Sequence, residues 1–301
     1  MRRLVFTFAL ACLLAGAFQF RSDVGLVVIH ATVTTARGDF ISGLPASSFH
    51  VAENGRAQVL KQAVQEDIPV TLGIVTDDSG SMRRLHPVVL EAIRRMNDDL
   101  NPEDEVFLAH FSMHFAVDLP PTAGALDLRS ALAALAPRNT TGQWQAGTNL
   151  FDCLEQALIY TEKNSRRDKA ALLLVTDGDD TTSLLTLKQT IAAVGHRRPL
   201  IYAIGLPGDD SRGGRAALRK ITEASGGQAF FPKYVEQLPA IAGRIAREMR
   251  SQYTLTYTPE TRDPDEAYRA LIVKVDTPPK SPPLLVRART GYYATSAQSR
   301  E

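Results

Sequence analysis

Between about residues 68 and 250, short apolar runs alternate with stretches of helical apolar spacing. The runs at 70–76 and 170–175 are continuous enough to predict strands covered on both faces. Helical spacing predicts helices at 88–100, 125–135, 149–161, 184–194, 215–224 and 235–250. Alternation of strand and helix favours an α/β fold, with a doubly wound, mainly parallel sheet and helices on both faces.

The segments on either side of this region have β-like patterns. Before it, residues 26–34 are rich in β-branched side chains, and Asn54-Gly55 is a strong hairpin signal. After it, strands are predicted at 253–257, 268–275 and 284–288. Neither end has enough strands for its own core. We therefore expect the N-terminal segment 24–66 and the C-terminal segment 252–294 to form one small β-sandwich, with the α/β domain 68–250 inserted between them.

The first residues have the pattern of a targeting segment. Residues 1–3 are a short basic start, residues 4–14 are almost entirely apolar, and 15–17 offer a small-x-small cleavage site. This pattern predicts a signal peptide over 1–17 and a secreted, periplasmic or cell-envelope protein. The alternatives are an uncleaved anchor, which would keep the protein at a membrane, and a lipid anchor at Cys12.

Composition narrows the classes of partner. Lys and Arg number 34 against 33 Asp and Glu, so no polyanion is implied and no nucleic-acid partner is expected. Without residues 1–17, Cys153 is the only cysteine, which excludes an intramolecular disulfide. Its helical apolar surroundings predict a buried, inert thiol.

Oxygen-bearing side chains follow two of the predicted strands. Asp77, Ser79 and Ser81 alternate where the strand 70–76 ends, and Asp177 follows the apolar run 170–175. In open α/β sheets, ligands bind beyond the carboxyl ends of the strands. Hard oxygen ligands suit Mg²⁺, and Mn²⁺ or Ca²⁺ would suit the same setting. The sequence therefore predicts one divalent-metal site, which Thr148 can join from a third loop.

Three separated motifs resemble the metal-ion-dependent adhesion site of von Willebrand factor type A domains. They are Asp77-x-Ser79-x-Ser81, Gly147-Thr148 and Thr176-Asp177-Gly178. The resemblance covers about 68–250 and implies that Ser79 and Ser81 coordinate the cation directly. It implies that Asp77 and Asp177 act largely through bound water, and Thr148 directly or through water.

The same resemblance implies a function and a switch. The function is adhesion, in which a protein partner presents an acidic side chain to the metal. The switch is a shift of the last α/β helix, 235–250, which would pass the state of the site to the β-rich end. Residues 44–51 and the closing Gly291-Tyr292-Tyr293 carry a wider similarity to secreted bacterial proteins common in Acidobacteria.

The sequence favours a non-enzymatic binding protein, and three other functions compare with it as follows. Asp78-Ser79-Gly80 resembles half of an aspartic protease site, but the later candidate is Asp177-Gly178-Asp179, which lacks the second half. A metal-dependent hydrolase using the same cluster, and a structural envelope module with a vestigial site, stay open. Asp78 itself is expected to point away from the metal.

Two further features have ordinary explanations beside functional ones. Arg37-Gly38-Asp39 resembles an adhesive tripeptide, but Gly-Asp between strand-like runs is typical of a turn. Arg83 and Arg84 directly follow the metal motif and would help attract an acidic partner, although arginines early in a helix or loop are usually solvated.

Overall fold

A computed structural model describes residues 25–96, 99–123, 130–132, 147–207, 211–259, 267–278 and 281–294. The predicted signal peptide, 1–17, lies outside the described residues, as does most of the predicted helix 125–135. Among the described residues, no helix combines the length and the apolarity needed to cross a membrane.

A six-stranded sheet forms the centre of the molecule. Its order is β10-β9-β8-β5-β6-β7, and every pairing is parallel except that of β6 with β7. The strands are β5 (Val70–Asp77), β6 (Glu105–Phe111), β7 (Phe115–Ala123), β8 (Lys169–Thr176), β9 (Leu200–Gly205) and β10 (Ala229–Phe230). The central pair β5 and β8 is the pair predicted from continuous apolar runs.

Helices cover both faces of this sheet. They are α1 (His86–Met96), α2 (Leu150–Asn164), α3 (Leu187–Gly195), α4 (Ser211–Ser225) and α5 (Leu238–Arg250). One core lies between the sheet and α1 with α5, and the other between the sheet and α2, α3 and α4. The predicted α/β class is confirmed.

The two ends of the chain build two further four-stranded sheets, with orders β13-β1-β11-β4 and β14-β12-β2-β3. The strands are β1 (Val27–Thr35), β2 (Phe49–Glu53), β3 (Arg56–Gln58), β4 (Leu60–Gln65), β11 (Tyr253–Tyr257), β12 (Tyr268–Val275), β13 (Leu284–Arg287) and β14 (Gly291–Tyr293). In both sheets, strands from the N-terminal segment pair with strands from the C-terminal segment. Ile29, Val51, Leu255 and Leu271 share the core between them, as the predicted sandwich requires.

Several element bounds differ from the sequence predictions. The sequence predicts a strand at 115–119, but β7 continues to Ala123, because its pairing with β6 extends to Glu105. The last α/β helix begins as a 3₁₀ turn at Val235–Gln237 and becomes α-helical only from Leu238. β4 and β14 are strands that no separate pattern predicted.

Two local predictions hold at the level of the backbone. Asn54 and Gly55 form the two-residue loop between β2 and β3, and both have positive φ, 48° and 78°. That geometry is the reason why Asn-Gly marks hairpins. Arg37-Gly38-Asp39 forms a turn after β1, in which the Gly38 N–H donates to the carbonyl of Thr35 at 2.9 Å.

A buried polar cluster joins the sandwich to the α/β domain. We call it the polar junction; its residues are Thr32, Tyr202, Glu248, Gln252 and Arg287. Glu248, near the end of α5, is fully buried and forms an ion pair with Arg287 of β13. The hydroxyl of Thr32 donates to Glu248 at 3.2 Å, and the Gln252 amide donates to the oxygens of Thr32 and Tyr202, both at 3.2 Å.

A second contact lies at the carboxyl end of α3. Tyr293 stacks on His196, with ring centroids 3.8 Å apart. Arg289 donates to the carbonyls of Gly195 and Arg197 at 3.3 and 3.1 Å, so it satisfies carbonyl groups at the end of the helix. The closing strand β14 therefore attaches the sandwich to the α/β domain.

Candidate metal site

Asp77 is the last residue of β5 and is fully buried. Its carboxylate accepts from two directions. The backbone N–H of Ser79 donates to Oδ1 at 2.9 Å, and the hydroxyl of Thr176 donates to Oδ2 at 2.6 Å. Thr176 ends β8, the parallel neighbour of β5, so the two strand ends are joined at the start of the site.

Hydroxyl groups connect Asp77 to the second carboxylate. The backbone turns after Ser79 into a short 3₁₀ helix, Gly80–Arg84. The Oγ atoms of Ser79 and Ser81 lie 3.1 Å apart, and Ser81 donates to Oδ2 of Asp177 at 2.6 Å. Four of the five predicted metal residues therefore form one hydrogen-bonded cluster beyond the carboxyl ends of β5 and β8.

Thr148 approaches from a third loop and is almost fully buried. Its backbone N–H donates to Oγ1 of Thr181 at 2.8 Å, and its carbonyl accepts from the N–H groups of Thr181 and Thr182. Among the described residues, its side chain hydrogen-bonds to none of the other four predicted ligands. Before Thr148, Gly147 has φ of +96°, and a Cβ there would lie 2.9 Å from Sδ of Met113, so the turn needs glycine.

The chemistry of this donor set fits a hard divalent cation. Among the described residues, no group of three or more His, Cys, Asp or Glu side chains could hold a metal, so hydroxyl ligands would have to complete the set. Burial raises the pKa of Asp77 to about 6, and the negative charge of Asp177 adds to the effect. A bound cation would offset both the burial of the carboxylate and this repulsion.

Asp78 takes a different direction from its neighbours. Its carboxylate lies 3.9 Å from Nε2 of His86, at the start of α1, and its N–H donates to the carbonyl of Phe111 at 2.7 Å. His110 lies 2.8 Å from Oδ2 of Asp118. His86 is the first residue of α1 and His110 lies in β6, so each of these histidines has an acidic neighbour in the structure.

Residues that support the site carry weaker signals in the sequence. Thr176 belongs to the Thr-Asp-Gly motif, but the motif does not indicate the hydroxyl bond from Thr176 to Asp77. Thr181 and Ser183 lie in a stretch rich in acids and hydroxyls directly after Asp177, and that richness was the available signal. By contrast, Cys153 is buried, and burial raises the pKa of its thiol to about 12, which fits the inert thiol that was predicted.

Comparison with known families bears on this geometry. A sequence profile described as the von Willebrand factor type A domain matches residues 72–179, which include all five predicted metal residues. This stretch of the α/β domain is therefore similar to von Willebrand factor type A domains. A comparison with curated protein sequences gives no match.

Solved structures with the same fold include relatives of very different origin. Proximal thread matrix protein 1 from the mussel byssus superposes with a TM-score of 0.53 at 15% identity, over 66% of this chain and 51% of that one. A von Willebrand factor type A protein from Catenulispora acidiphila gives 0.52 at 14% identity, over 92% of this chain and 75% of that one. At these identities the similarity shows the fold alone. The chain spans about half the length of the mussel protein.

Proposed function

We propose that this protein is an extracytoplasmic adhesion or binding protein that captures a protein partner through a divalent cation. The cation would be held by Asp77, Ser79, Ser81, Thr148 and Asp177, and the partner would contribute an acidic side chain. Type A domains are typically binding modules, which supports a non-enzymatic function. The signal-peptide pattern of residues 1–17 supports a location outside the cytoplasm.

One observation carries the proposal. Asp77 and Asp177 lie 100 residues apart in the chain, yet Ser79 and Ser81 connect them through hydrogen bonds at one edge of the sheet. A purely structural cluster would not need two carboxylates in a place where burial and mutual repulsion raise the pKa of one of them. A divalent cation gives that arrangement a physical reason.

When bound, the cation would supply a Lewis-acidic position for an outside oxygen. Mg²⁺ is the default for such ligands, with Mn²⁺ or Ca²⁺ as alternatives. Ser79 and Ser81 would bring neutral oxygens, and the two aspartates would offset the charge of the ion. An incoming carboxylate is the natural partner, because the neutral hydroxyls leave the metal strongly attractive to a further negative oxygen.

Charge beside the cluster supports an acidic partner. Arg83 and Arg84 are exposed at the end of the 3₁₀ helix that carries Ser81. Exposed charges at the rim of an interface mainly raise the association rate and weaken in salt. We therefore expect partner capture to slow at high ionic strength while the metal remains bound.

The first test is direct binding of Mg²⁺ and Mn²⁺ by titration calorimetry. Wild type should bind either ion, Asp77→Ala should lose binding, and Asp78→Asn should keep it. Asp78→Asn is the matched control, because it removes the neighbouring negative charge, and that charge lies beside His86 and not in the cluster of predicted metal ligands. Failure of wild type to bind either ion would overturn the metal site.

The second test concerns the partner. In a pull-down from a cell-envelope extract, wild type and Asp78→Asn should retain the same proteins in Mg²⁺ and release them in EDTA, and Asp77→Ala should retain none of them. If all three retain the same proteins in EDTA, adhesion through the metal is wrong. If a captured protein is also cleaved or hydrolysed in an Asp77-dependent way, the hydrolase alternative replaces the binding protein.

A further inference from the structure

The amino end of α2 is capped by another loop instead of by its own first residues. Asn149 precedes the helix but makes no side-chain cap, and its amide donates to the carbonyl of Met113 at 3.1 Å. Ser183 takes that role from the loop after β8. Its Oγ accepts from the N–H groups of Phe151 and Asp152 at 3.1 and 3.2 Å. These are the unpaired donors that a helix start leaves.

A carboxylate orients this hydroxyl. Ser183 donates to Oδ1 of Asp180 at 2.5 Å, and the same oxygen lies 3.3 Å from the N–H of Phe151. The negative charge of Asp180 thus lies at the positive end of the helix dipole, which is favourable. Ser183 is both donor and acceptor, so its rotamer is fixed by three contacts.

A side chain of α2 in turn accepts hydrogen bonds from backbone N–H groups of the loop. Asp152, in the first turn of α2, accepts the N–H groups of Leu184 and Leu185 through its two carboxylate oxygens, both at 2.9 Å. Charge-assisted bonds to backbone donors are among the stronger ones in proteins. Each segment therefore satisfies backbone groups of the other. We call this set of contacts, made by Asp152, Asp180 and Ser183, the reciprocal cap.

The reciprocal cap adjoins two of the candidate metal residues. Thr148 lies just before α2, and Asp177 begins the loop that contains Ser183. The backbone of Thr148 is bonded to Thr181 and Thr182, between Asp177 and Ser183. The backbone is also held at the next residue, since Asn149 donates its N–H to the carbonyl of Ser112 at 2.7 Å.

We infer that the reciprocal cap holds the Thr148 loop against the Asp177 loop, so that the third-loop ligand is positioned before the cation arrives. Asp152 and Ser183 are positioning residues on this account, because they reach the metal only through Thr148 and Asp177. The inference rests on the proposed metal site. It adds that the affinity of that site is set partly by a helix cap formed between two loops.

The physical consequence is that the entropy cost of ordering the ligand backbone is met when the protein folds and not when the metal binds. A site whose ligands must be collected at the moment of binding loses affinity to the ordering of the backbone. Groups that orient metal ligands typically change metal affinity 10–100-fold when they are removed. The position of Thr148 should depend most on the reciprocal cap, because its side chain has no hydrogen bond to the other four proposed metal ligands.

The test is the dissociation constant of Mn²⁺ for the full chain, measured by calorimetry in buffer where each variant is folded. Ser183→Ala and Asp152→Asn should each raise the constant about tenfold, and Ser183→Thr, which keeps the hydroxyl, should restore it to within about twofold. Leu184→Ala is the matched control in the same loop. Its side chain is 92% exposed, and only its backbone N–H contacts Asp152.

Urea unfolding in EDTA supplies the second readout for the same variants. A cap with only a structural role would lower the unfolding free energy while leaving the Mn²⁺ constant of the folded protein unchanged, and that result would overturn the inference. Asp77→Ala separates the two proposals. If it abolishes Mn²⁺ binding while Ser183→Ala and Asp152→Asn bind like wild type, the metal site stands and the positioning role is wrong. If wild type binds no Mn²⁺, both are wrong.

Discussion

Buried polar groups at opposite ends of β8 are satisfied in different ways. At the start of the strand, Lys169 is buried and donates to the carbonyl of Met249, beside the polar junction. At its end, Thr176 donates to Asp77 of the candidate metal site. Seven steps of strand separate the two, roughly 23 Å. At the junction, the positive charge of Arg287 pairs with Glu248, whereas no positive side chain among the residues that the structure describes pairs with Asp77.

The difference separates groups that support folding from groups that we propose bind a cation. A buried acid paired with an arginine within the chain stabilises one arrangement of two domains, and its loss affects the whole structure. Asp77 and Asp177 are linked through the backbone N–H of Ser79 and the hydroxyls of Ser79 and Ser81, with no positive charge from the described residues between them, and a cation can remove their repulsion. Substitutions in the two regions should therefore have opposite effects on stability and on metal binding.

The largest effect on stability is expected at the junction. Arg287→Ala leaves the fully buried Glu248 without its ion-pair partner and should lower the unfolding free energy by about 3 kcal/mol. Urea denaturation measures this, and the Mn²⁺ constant of the folded variant should match wild type. The double variant with Glu248→Gln should recover part of the loss. If Arg287→Ala weakened Mn²⁺ binding of folded protein, the two regions would be coupled and the comparison would fail.

A smaller effect is expected at the metal site, and only when metal is present. Mg²⁺ at 100 times its dissociation constant should stabilise wild type by about 2.7 kcal/mol, and Asp77→Asn should abolish that gain. In EDTA the two proteins should unfold within about 1 kcal/mol of each other, because the substitution removes a carboxylate whose burial is unfavourable. Asp78→Asn should keep the gain. A large loss for Asp77→Asn in EDTA would instead favour the structural, vestigial site.

The smallest effect is a pH dependence confined to the junction side. Burial lowers the pKa of His30 to about 3, and the charges of Lys169 and Arg289 add to this; Thr254 lies 3.4 Å from its Nδ1. Below pH 6.5, His30 binds a proton in the unfolded chain but not in the folded protein. Stability therefore falls as the pH falls from 6.5 towards 3. Because His30 is partly exposed, we expect the unfolding free energy to fall by only about 1–2 kcal/mol over this range. His30→Gln, which has no titrating group at this position, should not show this loss.

The measurement for His30 is the difference between wild type and His30→Gln across that pH range, in EDTA. Taking the difference cancels the pH-dependent contributions to stability from the carboxylates that both proteins share. If the unfolding free energies of the two proteins changed in parallel from pH 7 to pH 4, the pKa of His30 would be the same in the folded and unfolded states, and the prediction would be wrong. Mn²⁺ binding at pH 7 should be equal in both proteins, because His30 lies on β1 of the sandwich.

The sequence was sufficient for the architecture where its pattern was continuous. The apolar runs at 70–76 and 170–175 predicted the central strands, and their ends predicted which oxygen-bearing residues would meet. The N- and C-terminal pairing followed from the shortage of strands at each end. β14 was not predicted as a strand, since the three residues of Gly291–Tyr293 are too few to show alternation.

Long-range polar pairs were beyond a single sequence. Glu248 and Arg287 are 39 residues apart, and Ser183 is 32 residues from the Phe151 N–H that it caps. Glutamate in a helix and serine in a loop are most often solvated, so neither residue type indicates a buried contact. Glu248 did carry one signal: it follows Ile245 by three positions, on the apolar face of α5.

The insertion of the α/β domain between the two chain ends also sets an order in which the protein can fold. β1 pairs with β11 and β13, so Ala31 must find Tyr253 across the whole domain. Such distant pairing is slow, and until it occurs the first strands keep unpaired edges that invite association with other chains. The α/β domain contains its own neighbouring strands and can form earlier. We therefore expect the joining of the two chain ends to be the last and most aggregation-prone step, and a holding chaperone to raise the yield more than a metal would.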